Sequence, residues 1–579
     1  MVTPSPPAAT RSTSSLTINR SPAIGSRGAV AAKVAPAVDA GTGILAAGGN
    51  AVDAAVATAF AVGVVEPWMS GIGGGGFLVG WLASERRSFA IEYPMISPSG
   101  ATPGMYPLAG GVDSGLFGWP NTRDNANVVG YRSVATPGTV AGLAKALESY
   151  GTMSLAQVLE PAIELAERGL EVSWHTTLTI AKDLANLRAF PSTAAIYLDA
   201  NGCPPVTIEQ ARPRVIRNPD LACTLRTIAG EGARAFYEGD LARVFVRHLS
   251  EHGAPVTETD FAEYQALEVA AIELSFCGHT VHTIGKGTGG ASLAEILGIL
   301  EMLDVTAAGH NTTATLHKYT HAFRQAFADR FTWLADPDVV EVPVDVLLSE
   351  AYLQSRAGRF DPNCVAPTEP GTRSELGVTH TLEGSVAEYM GDGSTTQLGV
   401  VDAMGNAVSI TQTLLSAWGS RVTVPGTGVL MNNGMMWFDP APGRPNSVAP
   451  GKRPLTNMAP ALISRDGRIR ASVGSSGGRK IVNCNAQTIA NVAAFNLPIG
   501  EAISAPRIDA SLKPLKISSR IDPAIRQELA ELGHQVETVD ETLLTADFAS
   551  PVAVAVTEDG RFEAAVDQWY FPATAIALS

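Results

Sequence analysis

The chain is poor in the features that mark several common protein classes. Its five cysteines are widely spaced and form no CxxC pair, which disfavours a disulfide framework or a zinc ribbon and fits a reducing, cytoplasmic location. The formal net charge is −15, so we expect no nucleic-acid partner, because such a partner needs a basic protein face. No uncharged apolar run is long enough to span a bilayer, so we expect no membrane partner.

Motifs of metal-dependent hydrolases and nucleotide-binding proteins are missing or incomplete. The ten histidines include no HExxH pair. The run "GIGGGG" (71–76) matches GxGxxG by its letters, but it leads into a predicted strand, whereas a dinucleotide fingerprint opens a helix. "IGKGTGG" (284–290) lacks the Ser or Thr that follows the lysine of a phosphate loop. We therefore interpret 71–76 as a segment that allows close backbone approach, and we expect no metal or organic cofactor.

Length and composition indicate one large folded unit or two to three domains. With 45% hydrophobic and 17% charged residues among 579, the sequence is typical of a globular protein. The Pro/Ser/Thr-rich start has no apolar core of a signal peptide and predicts a disordered tail over 1–27. Residues 28–394 are predicted to be helix-rich and residues 395–579 strand-rich, which together indicate an α+β fold.

Hydrophobic periodicity and turn residues predict the local elements. The sequence predicts a helix–turn–helix over 34–65, a hairpin over 73–94, a long loop over 95–131, helices within 136–151 and 154–170, a mainly helical stretch over 175–380, and a hairpin about the Asp402–Asn406 turn.

The stretch "GDGSTTQLGVVD" (391–402) allows two interpretations. Glycine and aspartate favour a turn and threonine favours a strand, so the stretch is consistent with a plain turn entering a strand. Alternatively, Thr395 attacks the carbonyl before it, cuts the 394–395 bond and becomes a new N-terminus. A threonine hydroxyl is a weak nucleophile without a base, and its own freed α-amine, which titrates near neutrality, would supply that base. The spacing alone leaves both interpretations open.

Nine segments, in order along the chain, together resemble the γ-glutamyltransferase family of N-terminal nucleophile hydrolases. They are "GGNAVDAAVA" (48–57), "EPWMSGIGGGGF" (66–77), "TPGTVAGL" (136–143), "PAIELAERGL" (161–170), "AFADRFTWLADPD" (326–338), "STTQLGVVDAMGNAVSITQT" (394–413), "GTGVLMNN" (426–433), "PGKRPLTNMAP" (450–460) and "GSSGGRKI" (474–481). The resemblance implies a four-layer αββα fold. It also implies a precursor that is cut into a large subunit, 28–394, and a small subunit, 395–579, which stay packed as partners.

The resemblance assigns catalytic roles by position. Thr395 corresponds to the nucleophile and new N-terminus, and Thr413 to the second threonine, whose hydroxyl bonds the nucleophile and helps to activate it. Gly477 and Gly478 correspond to the pair whose backbone N–H groups form the oxyanion hole. Such donors often supply the largest single catalytic contribution, and glycine lets the backbone approach the substrate closely.

The sequence departs from the family pattern where the family holds a free glutamyl head group. An arginine for the α-carboxylate is replaced by Pro103, an asparagine by Leu415, and groups for the α-amine by Gly434 and Trp437. Two serines are replaced by the predicted substrate-binding residues Thr456 and Asn457, which can still hydrogen-bond a carboxylate. Arg132 and Arg421 are alternative carboxylate contacts, although a structural role is the simpler interpretation of each. Polar recognition of the head group is therefore expected to be weaker.

The sequence thus predicts a self-cleaving threonine amidohydrolase that acts on a small-molecule amide through an acyl-enzyme. The first expectation is γ-glutamyl or related amides, with hydrolysis favoured over transfer. An acylase or amidase for a dicarboxylate monoamide or glutaryl-type amide is the alternative. A non-catalytic binding homologue is a third possibility, against which the retained Thr395, Thr413 and Gly477-Gly478 pair speak.

Overall fold

The structure is a computed structural model, and it describes residues 18–112, 119–209, 211–378, 394–544 and 547–579. The predicted Gly391–Gly393 turn before the nucleophile lies outside these residues.

Helices are spread along the whole described chain. They are α1 (Ala35–Ala46), α2 (Ala51–Val65), α3 (Thr139–Tyr150), α4 (Leu155–Arg168), α5 (Trp174–Lys182), α6 (Leu184–Ala189), α7 (Pro191–Tyr197), α8 (Pro219–Glu231), α9 (Gly239–Glu251), α10 (Glu258–Ala262), α11 (Gly289–Met302), α12 (Thr313–Trp333), α13 (Val344–Leu347), α14 (Glu350–Ala357), α15 (Arg373–Leu376), α16 (Lys480–Ala493), α17 (Ile499–Ser504) and α18 (Pro523–Glu531).

Strands come from both sides of residue 394. They are β1 (Ala23–Gly25), β2 (Gly28–Ala32), β3 (Gly75–Leu82), β4 (Arg87–Tyr93), β5 (Leu108–Val112), β6 (Pro120–Thr122), β7 (Leu170–Glu171), β8 (Val215–Ile216), β9 (Leu267–Val269), β10 (Ile272–Phe276), β11 (His279–Thr283), β12 (Ser394–Asp402), β13 (Ala407–Leu415), β14 (Thr423–Val424), β15 (Val429–Leu430), β16 (Ala461–Arg465), β17 (Arg468–Ser476), β18 (Ile508–Asp509), β19 (Leu515–Ser518), β20 (Val536–Val539), β21 (Ser550–Val556), β22 (Phe562–Val566) and β23 (Thr574–Ala577).

Two seven-stranded antiparallel sheets form the centre of the molecule. The β12 sheet has the strand order β23-β2-β12-β13-β3-β4-β9, and the β17 sheet has the order β1-β22-β21-β17-β16-β11-β10. Strands β12 and β13 face β17, while α2 packs on the opposite side of β12 and β13 and α16 packs on β17. Each sheet combines strands from before and after the 394–395 bond, so the predicted large and small subunits interleave within one body.

The buried helix α2 illustrates why the sequence folds in this way near the β12 sheet. Asn50 caps the helix and forms a reciprocal capping box with Asp53, which satisfies amides that a helix start leaves unpaired. Its alanine and valine side chains are buried on nearly every side, because α2 lies between the sheet and helices α1 and α4. The helix ends at Val65, directly before Glu66.

Most of the predicted local elements are confirmed. Helices α1 and α2 form the expected helix–turn–helix, β3 and β4 the expected hairpin, and α3 and α4 the two amphipathic helices. Strands β12 and β13 join through the Asp402–Asn406 turn. The glycine run also packs as expected, since a Cβ on Gly74 would lie 2.2 Å from the carbonyl oxygen of Thr413.

Three regions differ from the sequence prediction. Within the mainly helical 175–380, residues 267–283 form β9, β10 and β11 instead. The β10–β11 turn uses Cys277 and Gly278, both at positive φ (47° and 72°), in place of the Asn-Gly pair that usually signals such a hairpin. The predicted loop 95–131 contains the short pair β5–β6. In the predicted tail, 1–17 are outside the described residues, but Ala23–Gly25 pair with β22 as β1. Across the described ranges, no helix combines the length and apolarity that a membrane crossing requires.

Candidate active site

The two threonines that open β12 face opposite sides of their sheet. The Thr396 hydroxyl donates to Glu66 Oε2 at 3.3 Å, on the side covered by α2. On the other side, Gln397 and Gly399 pack against β17: a Cβ on Gly474 would lie 2.3 Å from Gln397 Cδ, and one on Gly399 would lie 2.9 Å from Ser472 Oγ. Because side chains alternate along a strand, Thr395 belongs to the face between the two sheets.

The same two contacts show which residue of β17 lies opposite Thr395. Gly399 lies opposite Ser472 and Gln397 opposite Gly474, so the strands run past each other in steps of two residues. One further step places Thr395 level with Ser476, the last residue of β17 and the neighbour of Gly477. The candidate nucleophile and the candidate oxyanion glycines therefore lie at the same end of two facing strands, β12 and β17.

A β-bulge lies beside Thr395. Ser394 pairs with Leu415 and Thr396 with Gln412, so β13 carries one extra residue at this point. Leu415 has a φ of 91°, a conformation that a leucine rarely adopts. Bulges and such backbone outliers cluster at functional sites because they re-aim side chains. Here the bulge lies next to Thr413 and sets the direction of its side chain.

Thr413 contacts the bond that is predicted to be cut. Its hydroxyl donates a hydrogen bond to the carbonyl oxygen of Ser394 at 2.5 Å. The same hydroxyl accepts from the amide of Leu415 at 2.7 Å, which fixes its proton toward Ser394. The predicted partner was the nucleophile itself. In this uncut chain Thr413 instead holds the carbonyl that Thr395 would attack.

Ser394 is also held from its own side chain. Its hydroxyl lies 2.8 Å from the carbonyl oxygen of Trp68 and 2.7 Å from Met69 Sδ. The Trp68 carbonyl accepts the amide of Trp418 as well, so the 68–69 segment ties the start of β12 to the turn after β13. The residue before the predicted cut is thus fixed at its carbonyl and at its side chain.

Gly477 and Gly478 connect β17 to α16. Both have positive φ, 142° and 64°, which glycine adopts without strain. Neither amide donates a hydrogen bond to another described residue. The N-terminus of the 14-residue helix α16 follows at once, and its dipole favours negative charge there. This arrangement fits an oxyanion hole.

Thr456 and Asn457 lie on a fully buried arginine that the sequence prediction did not identify. Arg330, in α12, donates to the carbonyl oxygen of Thr456 and to Asn457 Oδ1, the latter at 2.9 Å. Burial lowers the pKa of Arg330 to about 9. Because Asn457 Oδ1 is engaged by Arg330, its Nδ2 donor is left for another partner. Thr456 Oγ1 is buried and has no hydrogen-bond partner among the described residues. The pair thus has two side-chain donors, the buried Thr456 Oγ1 and Asn457 Nδ2, beside a buried cation.

The segment that replaces the family's α-amine contacts is buried and mostly apolar. Residues Gly434–Trp437 form a 3-10 helix whose four residues are all buried. Gly434 has no room for a side chain, because a Cβ there would lie 2.8 Å from Ala135 Cβ. The preceding Asn432 bonds the backbone of Gly73, Ala135 and Gly434, and its side chain has no spare acceptor for an amine.

The two alternative arginine contacts have structural partners. Arg421 is buried and forms an ion pair with Asp183 at 2.7 Å, and it also donates to Ser416 Oγ at 3.0 Å. Arg132 donates to the carbonyl of Met105 and lies over the Tyr106 ring, 5.5 Å from its centroid. Both arginines therefore hold the loops around the site. Pro103 belongs to the same 95–131 region.

Two buried charged residues beside the candidate site were not identified from the sequence. Arg330 lies in the segment "AFADRFTWLADPD", but an isolated arginine in a helix gives no sign of what it contacts. Glu66, at the end of α2, was likewise indistinguishable from a surface residue. Within the described ranges, no three His, Cys, Asp or Glu side chains are grouped so that they could hold a metal ion.

Comparison with known proteins identifies one family over most of the chain. Residues 37–574 match the family model described as Gamma-glutamyltranspeptidase. The chain is 36% identical to the acylase ACY 1 proenzyme of Pseudomonas sp. (strain SE83) over 97% of this chain and 96% of that protein. It is 33% identical to the glutathione hydrolase proenzyme of Pseudomonas sp. (strain A14), over 82% and 80%. The crystal structure of cephalosporin acylase from Bacillus halodurans matches with a TM-score of 0.83 at 25% identity, over 99% of both chains.

The two facing antiparallel sheets and these relatives define an amidohydrolase of the N-terminal nucleophile class. The chain belongs to the gamma-glutamyltranspeptidase family. It is an enzyme of the γ-glutamyltransferase type, and the predicted resemblance is confirmed. The proenzyme names of both curated relatives are consistent with a precursor that is processed.

Proposed function

We propose that the chain is a self-cleaving acylase with Thr395 as its nucleophile. The uncut chain is the precursor, and cleavage at 394–395 gives a large subunit 28–394 and a small subunit 395–579 in a four-layer αββα body. The contact between Thr413 and the Ser394 carbonyl supports this, since it lies on the one carbonyl whose attack frees Thr395. The interleaved strands of both sheets would keep the two subunits together after the cut.

The proposed self-cleavage uses this contact. The Thr395 hydroxyl adds to the Ser394 carbonyl carbon, and the developing oxyanion accepts the hydrogen bond of Thr413. The C–N bond then breaks, the Thr395 nitrogen takes a proton, and Ser394 is held as an ester on the Thr395 oxygen. Water hydrolyses the ester, which leaves a carboxylate on Ser394 and a free α-amine on Thr395.

Substrate turnover repeats this chemistry on another molecule. The α-amine of Thr395 accepts the proton of its own hydroxyl, which attacks the amide carbonyl of the substrate. The Gly477 and Gly478 amides stabilise the oxyanion, and the amine product leaves with a proton. Water then attacks the acyl-enzyme ester and releases the acid. Hydrolysis is proposed in preference to transfer.

The acyl group we propose is a dicarboxylate or glutaryl type, with a free carboxylate and no α-amine. The single observation that carries this choice is the buried Gly434–Trp437 segment, which has no carboxylate or amide side chain where the family holds an α-amine. The two donors of Thr456 and Asn457, backed by Arg330, suit a terminal carboxylate. A γ-glutamyl group has the same carboxylate, so γ-glutamyl amides are the second candidate substrate, and a relative named glutathione hydrolase favours it.

Three matched anilides separate these candidates. A glutaryl anilide carries the carboxylate alone, a γ-glutamyl anilide adds the α-amine, and a valeryl anilide has neither. We expect kcat/KM to be highest for the glutaryl compound, by about tenfold or more over each of the others, since one charged hydrogen bond is worth about 1.5–3 kcal/mol. A preference for the γ-glutamyl compound would reverse the assignment. A preference for the valeryl compound would contradict a carboxylate-binding role for Thr456 and Asn457.

A further inference from the structure

A lysine is buried between the two sheets, close to the site but without a role in the chemistry above. Lys33 follows β2 and has no exposed surface. Its Nζ donates to the carbonyl oxygen of Ser550 at 2.7 Å and also to the Ser550 hydroxyl. The ammonium lies 4.7 Å from the centroid of the Tyr570 ring. Burial lowers the pKa of Lys33 to about 8, so the fold bears an energetic cost to keep it there.

A second buried ionisable group completes the arrangement. Glu66 is fully buried and accepts a hydrogen bond from the Tyr570 hydroxyl at 2.5 Å. Its other oxygen accepts from the Thr396 hydroxyl at 3.3 Å. Thr396 is the residue directly after the nucleophile. One end of this set, which we call the Lys33–Glu66 bridge (Lys33, Tyr570 and Glu66), therefore holds the strand that carries Thr395.

The other end of the bridge holds the support of the oxyanion glycines. Ser550 pairs with Ser476, the residue before Gly477. Ala549 lies directly against Gly477, because a Cβ added to Gly477 would be 2.8 Å from Ala549 Cα. Ala549 itself has a φ of 61°, which is unusual for alanine and needs support from its surroundings. Lys33 supplies such support by fixing the carbonyl of the next residue.

We propose that Lys33, Tyr570 and Glu66 are positioning residues that fix the gap between Thr395 and the Gly477–Gly478 amides. The bridge runs from Thr396 in the β12 sheet to Ser550 in the β17 sheet. In the described part of the chain, its hydrogen bonds go to Ser550 and Thr396 and not to Thr395, Gly477 or Gly478.

The need for such a bridge follows from the geometry of the site. The nucleophile and its oxyanion donors sit on different sheets, and apolar packing between sheets is not directional. A misplacement of about 1 Å at a reacting group costs on the order of 100-fold in rate. Hydrogen bonds to a buried ammonium and a buried carboxyl group are directional, so they oppose sliding of one sheet over the other.

Lys33→Met tests the proposal, with Lys516→Met as the matched control. Lys516 is also buried, but it lies in β19, outside both large sheets, and pairs with Asp547 at 2.7 Å. For the fully cleaved enzyme, we expect Lys33→Met to lower kcat tenfold or more with KM within twofold, because oxyanion donors act on the transition state. Lys516→Met should keep kcat within twofold even if its melting temperature falls. Unchanged kcat in cleaved Lys33→Met would overturn the proposal.

Tyr570→Phe decides the matter if Lys33→Met does not fold. It removes one hydroxyl and keeps the ring beside Lys33, and we expect kcat to fall threefold or more at unchanged KM. A change in KM alone, or none in either constant, would contradict the positioning role. The inference rests on the proposed roles of Thr395 and Gly477. The assay therefore uses whichever anilide the wild-type enzyme hydrolyses, and an inactive wild type would contradict the proposed function rather than the bridge.

Discussion

The hydroxyl of Thr413 donates to the carbonyl oxygen of Ser394 at 2.5 Å, at the bulge where the start of β12 pairs with the end of β13. This contact is present in the uncut chain. In the proposed self-cleavage, it places a preorganised donor on the oxygen that becomes negative when Thr395 attacks. Under the proposed function, Thr413 therefore acts in self-cleavage before it serves substrate turnover.

Replacing Thr413 by valine keeps the size of the side chain but removes the donor. Loss of one oxyanion donor costs about 2.7–4 kcal/mol, so self-cleavage should slow by about 100- to 1,000-fold. The rate of precursor loss on denaturing gels measures this. Thr411→Val is the matched control, because Thr411 is buried on the same strand and its hydroxyl bonds Gln397 instead. Equal cleavage rates in the two variants would exclude the donor role.

Gly477→Ala should damage turnover through the backbone. Alanine does not tolerate the φ of 142°, and its Cβ would collide with Ala549. We expect kcat of the cleaved enzyme to fall about 100-fold or more while KM changes little. Gly560→Ala serves as the control, since Gly560 also has a positive φ, 80°, but open space around it. A normal kcat for Gly477→Ala would show that this amide is not an oxyanion donor.

Substitution of Asn457 should lower kcat/KM only for substrates with a terminal carboxylate. Asn457→Leu removes the Nδ2 donor, and we expect kcat/KM for the glutaryl anilide to fall about 10- to 100-fold, with the valeryl anilide within threefold. Asn457→Asp keeps a partner for Arg330 but places a negative charge beside the carboxylate, so its loss on the glutaryl compound should be larger. Parallel losses on both anilides would indicate a structural effect only.

Glu66 should make stability depend on pH. Burial raises the pKa of Glu66 from 4.5 to about 8, against the opposing effects of Tyr570, Lys33 and Thr396. Between these values the folded chain holds a proton that the unfolded chain releases, so the Glu66 contribution to stability falls as pH rises. The melting temperature of the wild type relative to Glu66→Gln should therefore decrease from pH 5 to pH 8. A constant difference over this range would show that the Glu66 pKa is not raised.

Local structure was largely predictable from the sequence because its signals are local. The Gly48-Gly49-Asn50 stop and restart between α1 and α2, and the Asp402–Asn406 turn, depend on residues close in the chain. The β10–β11 hairpin was missed because its turn is Cys277-Gly278, which carries no Asn-Gly signal. The order of strands in the two sheets was not predictable either, since it depends on contacts between distant segments.

In the candidate site, too, residues in recognisable segments were predicted, and features that depend on distant contacts were not. Thr395, Thr413, Gly477 and Gly478 were predicted, because each lies in a recognisable segment. The bulge beside Thr395 could not be foreseen, as it arises from the register between Ser394 and Leu415. Arg330 and Lys33 were missed because their importance comes from burial and from partners more than 100 residues away.

The N-terminus of the smaller chain tests the central claim most directly. Purified protein should resolve into two chains on a denaturing gel, and N-terminal sequencing with intact mass should show that the smaller one begins at Thr395. Thr395→Ala should remain one inactive chain, whereas Thr395→Ser, which keeps a hydroxyl, should still cleave. A single intact chain after long incubation, or a cut at another bond, would contradict the account.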